Sequence, residues 1–159
     1  FPYTTLFRSF RLGKNFQTEM YLKITGKMQK CTVGILGGIL LALAFWCLVT
    51  KADKVTVLYN LLYYTVFIAF AEEFVVRGIC VYLVRGEEPY IRYLAPNLLF
   101  AVMHLFSYAN WGAITVPYVI SFVSSELLGL LTMGCIFQFL KEKSGTLWTA
   151  VLVHAILVQ

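Results

Sequence analysis

Four ionisable side chains that a lipid bilayer should exclude lie inside three separate apolar segments of the chain. They are the adjacent carboxylates Glu72 and Glu73 and the imidazoles of His104 and His154. Each segment places its group 11 to 13 residues from a charged loop on the same side of the membrane. At about 1.5 Å per helical residue, these separations are depths of roughly 16 to 20 Å, so the groups can meet in one layer. Ionisable residues at such depth are costly and usually functional, which predicts a buried reaction centre.

The second of the two glutamates has a partner within its own helix. An i,i+4 spacing places Glu73 and Arg77 on one helical face, where they can form an ion pair. One arginine cannot neutralise two adjacent carboxylates in a low-dielectric site, so we expect Glu72 to share a proton with a neighbour such as a histidine. A carboxylate in that state is suited to act as a general base.

The next apolar segment carries its histidine on a helical stripe with two other notable side chains. Phe100 lies one turn before His104, and Asn97 lies about another turn back. We expect the phenyl ring to orient or shield the imidazole, and we assign Phe100 and Asn97 to substrate binding. A carboxylate with two imidazoles can activate water and donate hydrogen bonds to the oxyanion of a peptide tetrahedral intermediate. Zn²⁺ accepts the same ligand set, but we predict a site with no metal or other cofactor.

Membrane helices must position these groups, because the composition argues against a soluble domain. The chain is 60% apolar and only 13% charged, as is typical of polytopic membrane proteins. Apolar stretches predict an all-α bundle of about five helices, at residues 32–50, 55–84, 95–106, 116–140 and 147 onward. The four cysteines show no CxxC spacing, so we predict neither a disulfide framework nor a zinc cluster.

The region ahead of the bundle falls into two parts. Residues 1–9, FPYTTLFRS, look like a translated sequencing-library adapter, and we exclude them from the fold. Residues 10–30 form a basic amphipathic segment with apolar residues at four-residue spacing, which suits either a helix at the headgroup level or a solvated linker. The bundle occupies residues 31–159. If residues 1–9 derive from an adapter and are not an ordinary polar amino terminus, the native start is missing, and Gln159, still inside an apolar helix, is compatible with a truncated end.

The distribution of charge predicts the orientation of the bundle. The formal net charge is +5, and the basic residues cluster before the first span and around Arg85, Arg92 and Lys141. By the positive-inside rule these parts are cytosolic, so the site should open to the cytosolic side. Glu126 lies fifteen residues before Lys141 and thus near the same layer. We interpret it either as a carboxylate bonded to its helix neighbours or as a substrate-binding residue.

Three motifs, in order along the chain, resemble those of the CPBP family: EExxxR at Glu72 to Arg77, FxxxH at Phe100 to His104, and a later helical His154. That family unites type II CAAX prenyl endopeptidases, which are Rce1-like, with bacteriocin-processing and Abi immunity proteins. The resemblance covers about residues 55–158. It implies an all-helical intramembrane glutamate protease of a prokaryotic plasma membrane. The implied partners are the bilayer and a peptide or protein substrate, prenylated or bacteriocin-like, and no nucleic acid.

The resemblance also assigns a role to each matching residue. Glu72 and His104 would activate the water, and His154 would help to form the oxyanion hole. The carboxylate would be supported by the neighbouring ion pair of Glu73 and Arg77. Four residues after the last histidine the family usually has Asn, or sometimes Asp, where this chain has Val158. This departure predicts a slow protease or a non-catalytic family member.

Two other interpretations stay open alongside the protease. A non-catalytic immunity or scaffold protein of the same family would keep the bundle without turnover. A proton-coupled transporter would use Glu72 and the two histidines as a proton relay. Other intramembrane protease chemistries fit poorly, because the chain contains no HExxH, GxGD or GxSG motif.

Overall fold

The structure, a computed structural model, describes Thr18, residues 20–107 and residues 114–158, and over these it is helical without strands. This confirms the predicted all-α bundle. The described residues form six helices: α1 (Lys27–Thr50), α2 (54–83), α3 (Pro89–Ser107), α4 (Val116–Ser125), α5 (Leu127–Ser144) and α6 (Leu147–Leu157).

Helix α2 is continuous but not uniformly α-helical. Its α-helical parts Lys54–Leu62, Ala71–Glu73 and Val81–Leu83 alternate with two π-helical parts, Tyr63–Phe70 and Phe74–Cys80. A π turn closes i→i+5 hydrogen bonds, so the side chains that follow it are rotated relative to those of a regular α-helix. Such turns are frequent at functional sites, and here they flank the two adjacent glutamates on both sides.

The apolar stretch from residue 116 to residue 140 was predicted as one helix, and this was wrong. Helices α4 and α5 meet at Glu126 with a bend of 46°. The hydroxyls of Ser124 and Ser125 each donate to the carbonyl four residues back, at 2.8 Å. Back-bonding of this kind competes with the helical ladder and bends helices, which explains why the break follows these serines.

The surface of the bundle suits an apolar solvent. Helix α1 is long and apolar enough to cross a membrane, and α4 with α5 passes the same test as one bent span. Large apolar side chains such as Leu41, Phe45 and Trp46 are about 70% exposed on α1. Exposure of whole rows of such residues is unfavourable in water but is expected toward lipid.

Helix α6 lies at the centre of the packing. It contacts α1, α2 and α5, and its residues include the fully buried Ala150 and Ala155. Ala155 joins Leu40 of α1 and Ala69 of α2 in the apolar core. Small side chains at these positions let the helices approach closely, as is usual between membrane helices. Helix α3 packs mainly on α5 and closes the other side of the bundle.

The basic amino-terminal segment is described only from Thr18 and from residue 20 onward, and residues 1–17 lie outside the described part. Residues 22–25 are not helical, so the helix suggested by the four-residue spacing is not present there. The Tyr21 carbonyl instead accepts hydrogen bonds from the Leu147 N–H at 2.8 Å and from the Thr146 hydroxyl at 3.2 Å. Met20 is 2% exposed. This segment is therefore anchored on the turn between α5 and α6.

Candidate active site

The ion pair predicted from the i,i+4 spacing forms in the interior of the bundle. Arg77 Nη1 lies 3.2 Å from Glu73 Oε1, and both side chains are fully buried. The Arg77 guanidinium also lies over the Phe100 ring, 4.5 Å from its centroid, and 5.5 Å from that of Phe137. Removal of either charge would leave the other unpaired in a low-dielectric site, so the two side chains form one structural unit.

Glu72 points to a different environment from its neighbour. Its side chain is 30% exposed, whereas that of Glu73 is fully buried. Glu72 lines a cleft of about 270 Å³ between α2 and α3, and His104 lines the same cleft. The remaining walls are largely apolar, with Val75, Val76, Leu99 and Met103 among them. Of the two adjacent glutamates, Glu72 is therefore the one that a substrate can reach.

The contacts of His104 fix which of its ring nitrogens carries a proton. Nδ1 lies 2.9 Å from the Phe100 carbonyl oxygen. A carbonyl only accepts, so Nδ1 is the donor in this bond, and a neutral ring then has its lone pair on Nε2. The Phe100 ring packs edge-on to the imidazole with 4.4 Å between centroids, which confirms the predicted contact. His104 is thereby held in the tautomer that a base acting through Nε2 requires.

His154 lies behind the two glutamates rather than on the wall of the cleft. Its Nδ1 is 2.9 Å from Glu73 Oε1, and its Nε2 is 3.8 Å from Glu72 Oε2. Because Arg77 holds the Glu73 carboxylate, that carboxylate accepts the Nδ1 proton, and Nε2 is left to face Glu72. The ring stacks on Phe137 with 4.9 Å between centroids. Nε2 of His154 thus faces Glu72 across a distance that is longer than a direct hydrogen bond.

Asn97 is placed to hold the ion pair. It is fully buried, and its Oδ1 accepts a hydrogen bond from Arg77 Nη2 at 3.0 Å. Its amide nitrogen donates to the Tyr93 carbonyl at 2.7 Å and to Gln138 Oε1 at 3.2 Å. These contacts make Asn97 a structural partner of Arg77, and the substrate-binding role assigned to it from sequence stays a prediction. Phe100 is only 5% exposed and lines the cleft. Its role in substrate binding stays a prediction.

Three residues of α5 complete the support of Arg77, and the sequence analysis gave them no role at the site. Gln138 is fully buried against Asn97, and Lys141 Nζ donates to the Arg77 carbonyl at 2.6 Å. Gly134 leaves the space that Asn97 and Arg77 fill, since a Cβ there would lie 2.5 Å from Asn97 Oδ1. Spacings of four and three residues put Gly134, Gln138 and Lys141 on one face of an apolar helix, a pattern that could have revealed them.

The structure does not bring Glu126 to this site. Glu126 lies at the bend between α4 and α5 and lines a separate cleft with Tyr118, Ser121 and Ser125. Equal depth was a poor guide here because the bend redirects the helix after Ser125. A role of Glu126 in substrate binding stays a prediction. Val158 caps the end of α6, where its N–H donates to the His154 carbonyl at 3.2 Å.

The predicted convergence of the other groups is present. Glu72 and His154 approach to 3.8 Å, and Glu72 and His104 share the cleft, although the three residues come from α2, α6 and α3. Within the described residues no group of three His, Cys, Asp or Glu side chains is arranged to hold a metal ion. Chemically, the arrangement is a reachable carboxylate beside two oriented imidazoles, backed by a buried and neutralised second carboxylate.

Comparison with known proteins identifies a family. No curated protein and no solved structure matches the chain. A family model described as type II CAAX prenyl endopeptidase, Rce1-like, matches residues 54–158. This region is about two thirds of the chain and contains α2 to α6 with every residue of the site described above. The chain belongs to the Rce1-like family of type II CAAX prenyl endopeptidases, and it is a membrane protein.

Proposed function

We propose that the protein is an intramembrane endopeptidase that hydrolyses peptide bonds with water activated by Glu72 and His104, without a metal ion. The observation that carries this proposal is that these two side chains, from different helices, line one cleft while Glu73 is buried behind them in its pair with Arg77. Membership of a peptidase family supports the reaction class.

In the proposed mechanism a water molecule lies in the cleft between Glu72 and His104. Glu72 accepts a proton as the water oxygen attacks the peptide carbonyl carbon, and the proton then passes to the leaving amine. The negative charge that develops on the carbonyl oxygen needs hydrogen-bond donors. We assign this role to His154 when it carries a proton on Nε2, because that nitrogen lies 3.8 Å from Glu72 Oε2, too far for a direct hydrogen bond, and is therefore not committed to Glu72.

The cleft favours an apolar peptide as substrate. Val75, Val76, Leu99 and Met103 offer apolar contacts on both sides of Glu72. We propose a prenylated or bacteriocin-like peptide or protein that enters from the cytosolic side of a prokaryotic plasma membrane. The basic residues near the ends of α2 and α5 support that orientation through the positive-inside rule.

A second candidate function rests on Val158. Valine has no side-chain donor at the position where the family usually has an amide, four residues after His154. A member without that donor can keep the bundle and the buried ion pair and yet turn over too slowly to act as a protease. Such a protein would work by binding, as an immunity or scaffold protein.

Cleavage of a farnesylated peptide by the purified protein in detergent tests the proposal. We expect Glu72→Gln to abolish turnover, because the amide cannot accept the proton from water, and to leave thermal unfolding unchanged. Glu73→Gln should lower turnover together with stability, because it leaves Arg77 buried without its counter-charge. Glu87→Gln, in the exposed loop after α2, is the matched control and should change neither quantity.

The comparison between adjacent glutamates separates chemistry from folding. Wild-type rates in a folded Glu72→Gln protein would disprove the assignment of the base. Binding of the peptide without cleavage by the wild-type protein would favour the immunity or scaffold function. The same peptide without its farnesyl group measures whether the apolar cleft requires a prenylated substrate.

A further inference from the structure

A second cavity lies at the end of the bundle that carries the basic loops. Its volume is about 480 Å³, and it is separate from the cleft of Glu72 and His104. Its walls come from four parts of the chain: the anchored amino-terminal segment with Tyr21, the end of α2 with Arg85, the start of α3 with Arg92, and the end of α5 with Lys141. A cavity built by four segments has a defined shape and is not a random basic patch on one helix.

The charge of this cavity is positive. Among the described residues that line it, Arg85, Arg92 and Lys141 are basic and Glu142 is the one carboxylate. Glu142 already accepts hydrogen bonds from the Tyr93 hydroxyl and from Gln138. Within the described part of the wall, basic side chains therefore outnumber carboxylates by two. A cavity of this charge favours an anion as its occupant.

The cationic groups are held in place and retain donors for a ligand. Arg85 lies over the Tyr82 ring at 3.7 Å from the centroid, and its side-chain hydrogen bond within the described part of the chain, to the Tyr82 carbonyl, uses one of its five N–H groups. Arg92 Nε is buried without a hydrogen-bond partner among the described residues. An unpaired buried donor is costly, so the Arg92 side chain, which lines the cavity, is not fully satisfied by the described residues. Lys141 is fixed by its bond to the Arg77 carbonyl and by the Tyr21 ring.

The position of the cavity selects the kind of anion. Arg85 follows the end of α2, Arg92 is in the first turn of α3 and Lys141 is in the last turn of α5, so the cavity opens where helix ends meet the headgroup region. Leu83 in the last turn of α2 and Leu94 in the second turn of α3 are about half exposed, as residues that face acyl chains would be. Basic pockets between membrane helices on the cytosolic side bind anionic headgroups. We propose that this cavity binds the phosphate of an anionic phospholipid.

Native mass spectrometry of the whole purified chain, titrated with phosphatidylglycerol or phosphatidylcholine in neutral detergent, tests this proposal. We expect the wild-type protein to retain one phosphatidylglycerol at least about tenfold more tightly than phosphatidylcholine. Arg85→Gln with Arg92→Gln should weaken phosphatidylglycerol binding by more than about tenfold, since each basic residue contributes a factor of about five. Lys143→Gln is the matched control: it removes one charge from the same helix end but outside the cavity, and should preserve binding.

Three other outcomes would each contradict the proposed site for a lipid headgroup. Equal binding of both lipids by the wild-type protein would overturn it, and so would an equal loss in the Lys143→Gln control, which would indicate general surface attraction. Competition by free glycerol 3-phosphate at the same concentration as the lipid would identify a soluble anion as the ligand instead. If the double variant does not fold, Arg85→Gln alone removes an exposed side chain and should weaken binding by about fivefold.

Discussion

Gly134 offers a sharp test of the network that supports the buried ion pair. A Cβ at this position would lie 2.5 Å from Asn97 Oδ1 and 2.8 Å from Arg77 Nη2. Ordinary contact begins at 3.4 Å, so the Asn97 oxygen would have to withdraw by roughly 0.9 Å from its 2.5 Å position. Its 3.0 Å hydrogen bond to Arg77 cannot absorb such a shift within the usual range of about 2.7–3.2 Å. Gly134→Ala should therefore break the contact between Asn97 and Arg77.

The expected magnitude follows from opposing effects. Overpacking a core costs about 1–3 kcal/mol, and loss of a hydrogen bond to a charged group costs about 1.5–3 kcal/mol when it is not replaced. Replacement of glycine by alanine inside a helix contributes about 0.5–1 kcal/mol in the stabilising direction. If the side chains around Gly134 relax, the cost of overpacking and the cost of the lost hydrogen bond are not fully additive. We therefore expect a net destabilisation of roughly 1–3 kcal/mol. Turnover should fall as well, because Arg77 holds Glu73 and Glu73 orients His154.

The assay is the free energy of unfolding in mixed detergent micelles, together with the rate of peptide cleavage. Gly129→Ala in the same helix is the matched control, because no atom lies within 4 Å of the Cβ that it would add. The control should be neutral or slightly stabilising and should keep wild-type turnover. Equal stability of the two variants would refute the reasoning, since it would mean that the space at Gly134 is not needed by Asn97 and Arg77.

Two further predictions concern the oxyanion and the access route. Val158→Asn should raise single-turnover cleavage by at least about tenfold, because one oxyanion donor typically contributes a factor of about 10² to 10³. Unchanged cleavage in a folded, active Val158→Asn protein would show that this site does not use a donor there. In a cysteine-free background, Glu72→Cys and His104→Cys should react with hydrophilic thiol reagents added from the cytosolic side, and the lipid-facing control Leu41→Cys should react slowly. Faster labelling from the opposite side would overturn the proposed topology.

The sequence was a good guide wherever local geometry decides the outcome. The pairing of Glu73 with Arg77 follows from the i,i+4 spacing, and the contact of Phe100 with His104 follows from the same rule. Counting residues from the charged loops also predicted that Glu72 and His154 would meet, because helices rise by a constant amount per residue. The motifs at these positions predicted the family, which the family model confirms.

Inference from residue spacing gave a wrong result where a helix bends. The bend after Ser125 was missed because hydropathy records the composition of a segment and not the bonds of its hydroxyls. Glu126 consequently lies in another cleft, despite its matching distance from Lys141. The two π-helical parts of α2 have no recognisable pattern in the sequence, and they change the direction of every side chain that follows them.

The sequence by itself thus determined the all-helical membrane bundle, the approach of Glu72 to His154 and the pairs formed within one helix. The tertiary structure alone decided that Asn97 supports Arg77 and that Gln138 and Lys141 join it from α5. It also decided that Glu72 and not Glu73 reaches the cleft. The physical reason is that residue spacing fixes position along a helix, whereas the rotation of each helix about its axis is set by side chains packing between helices.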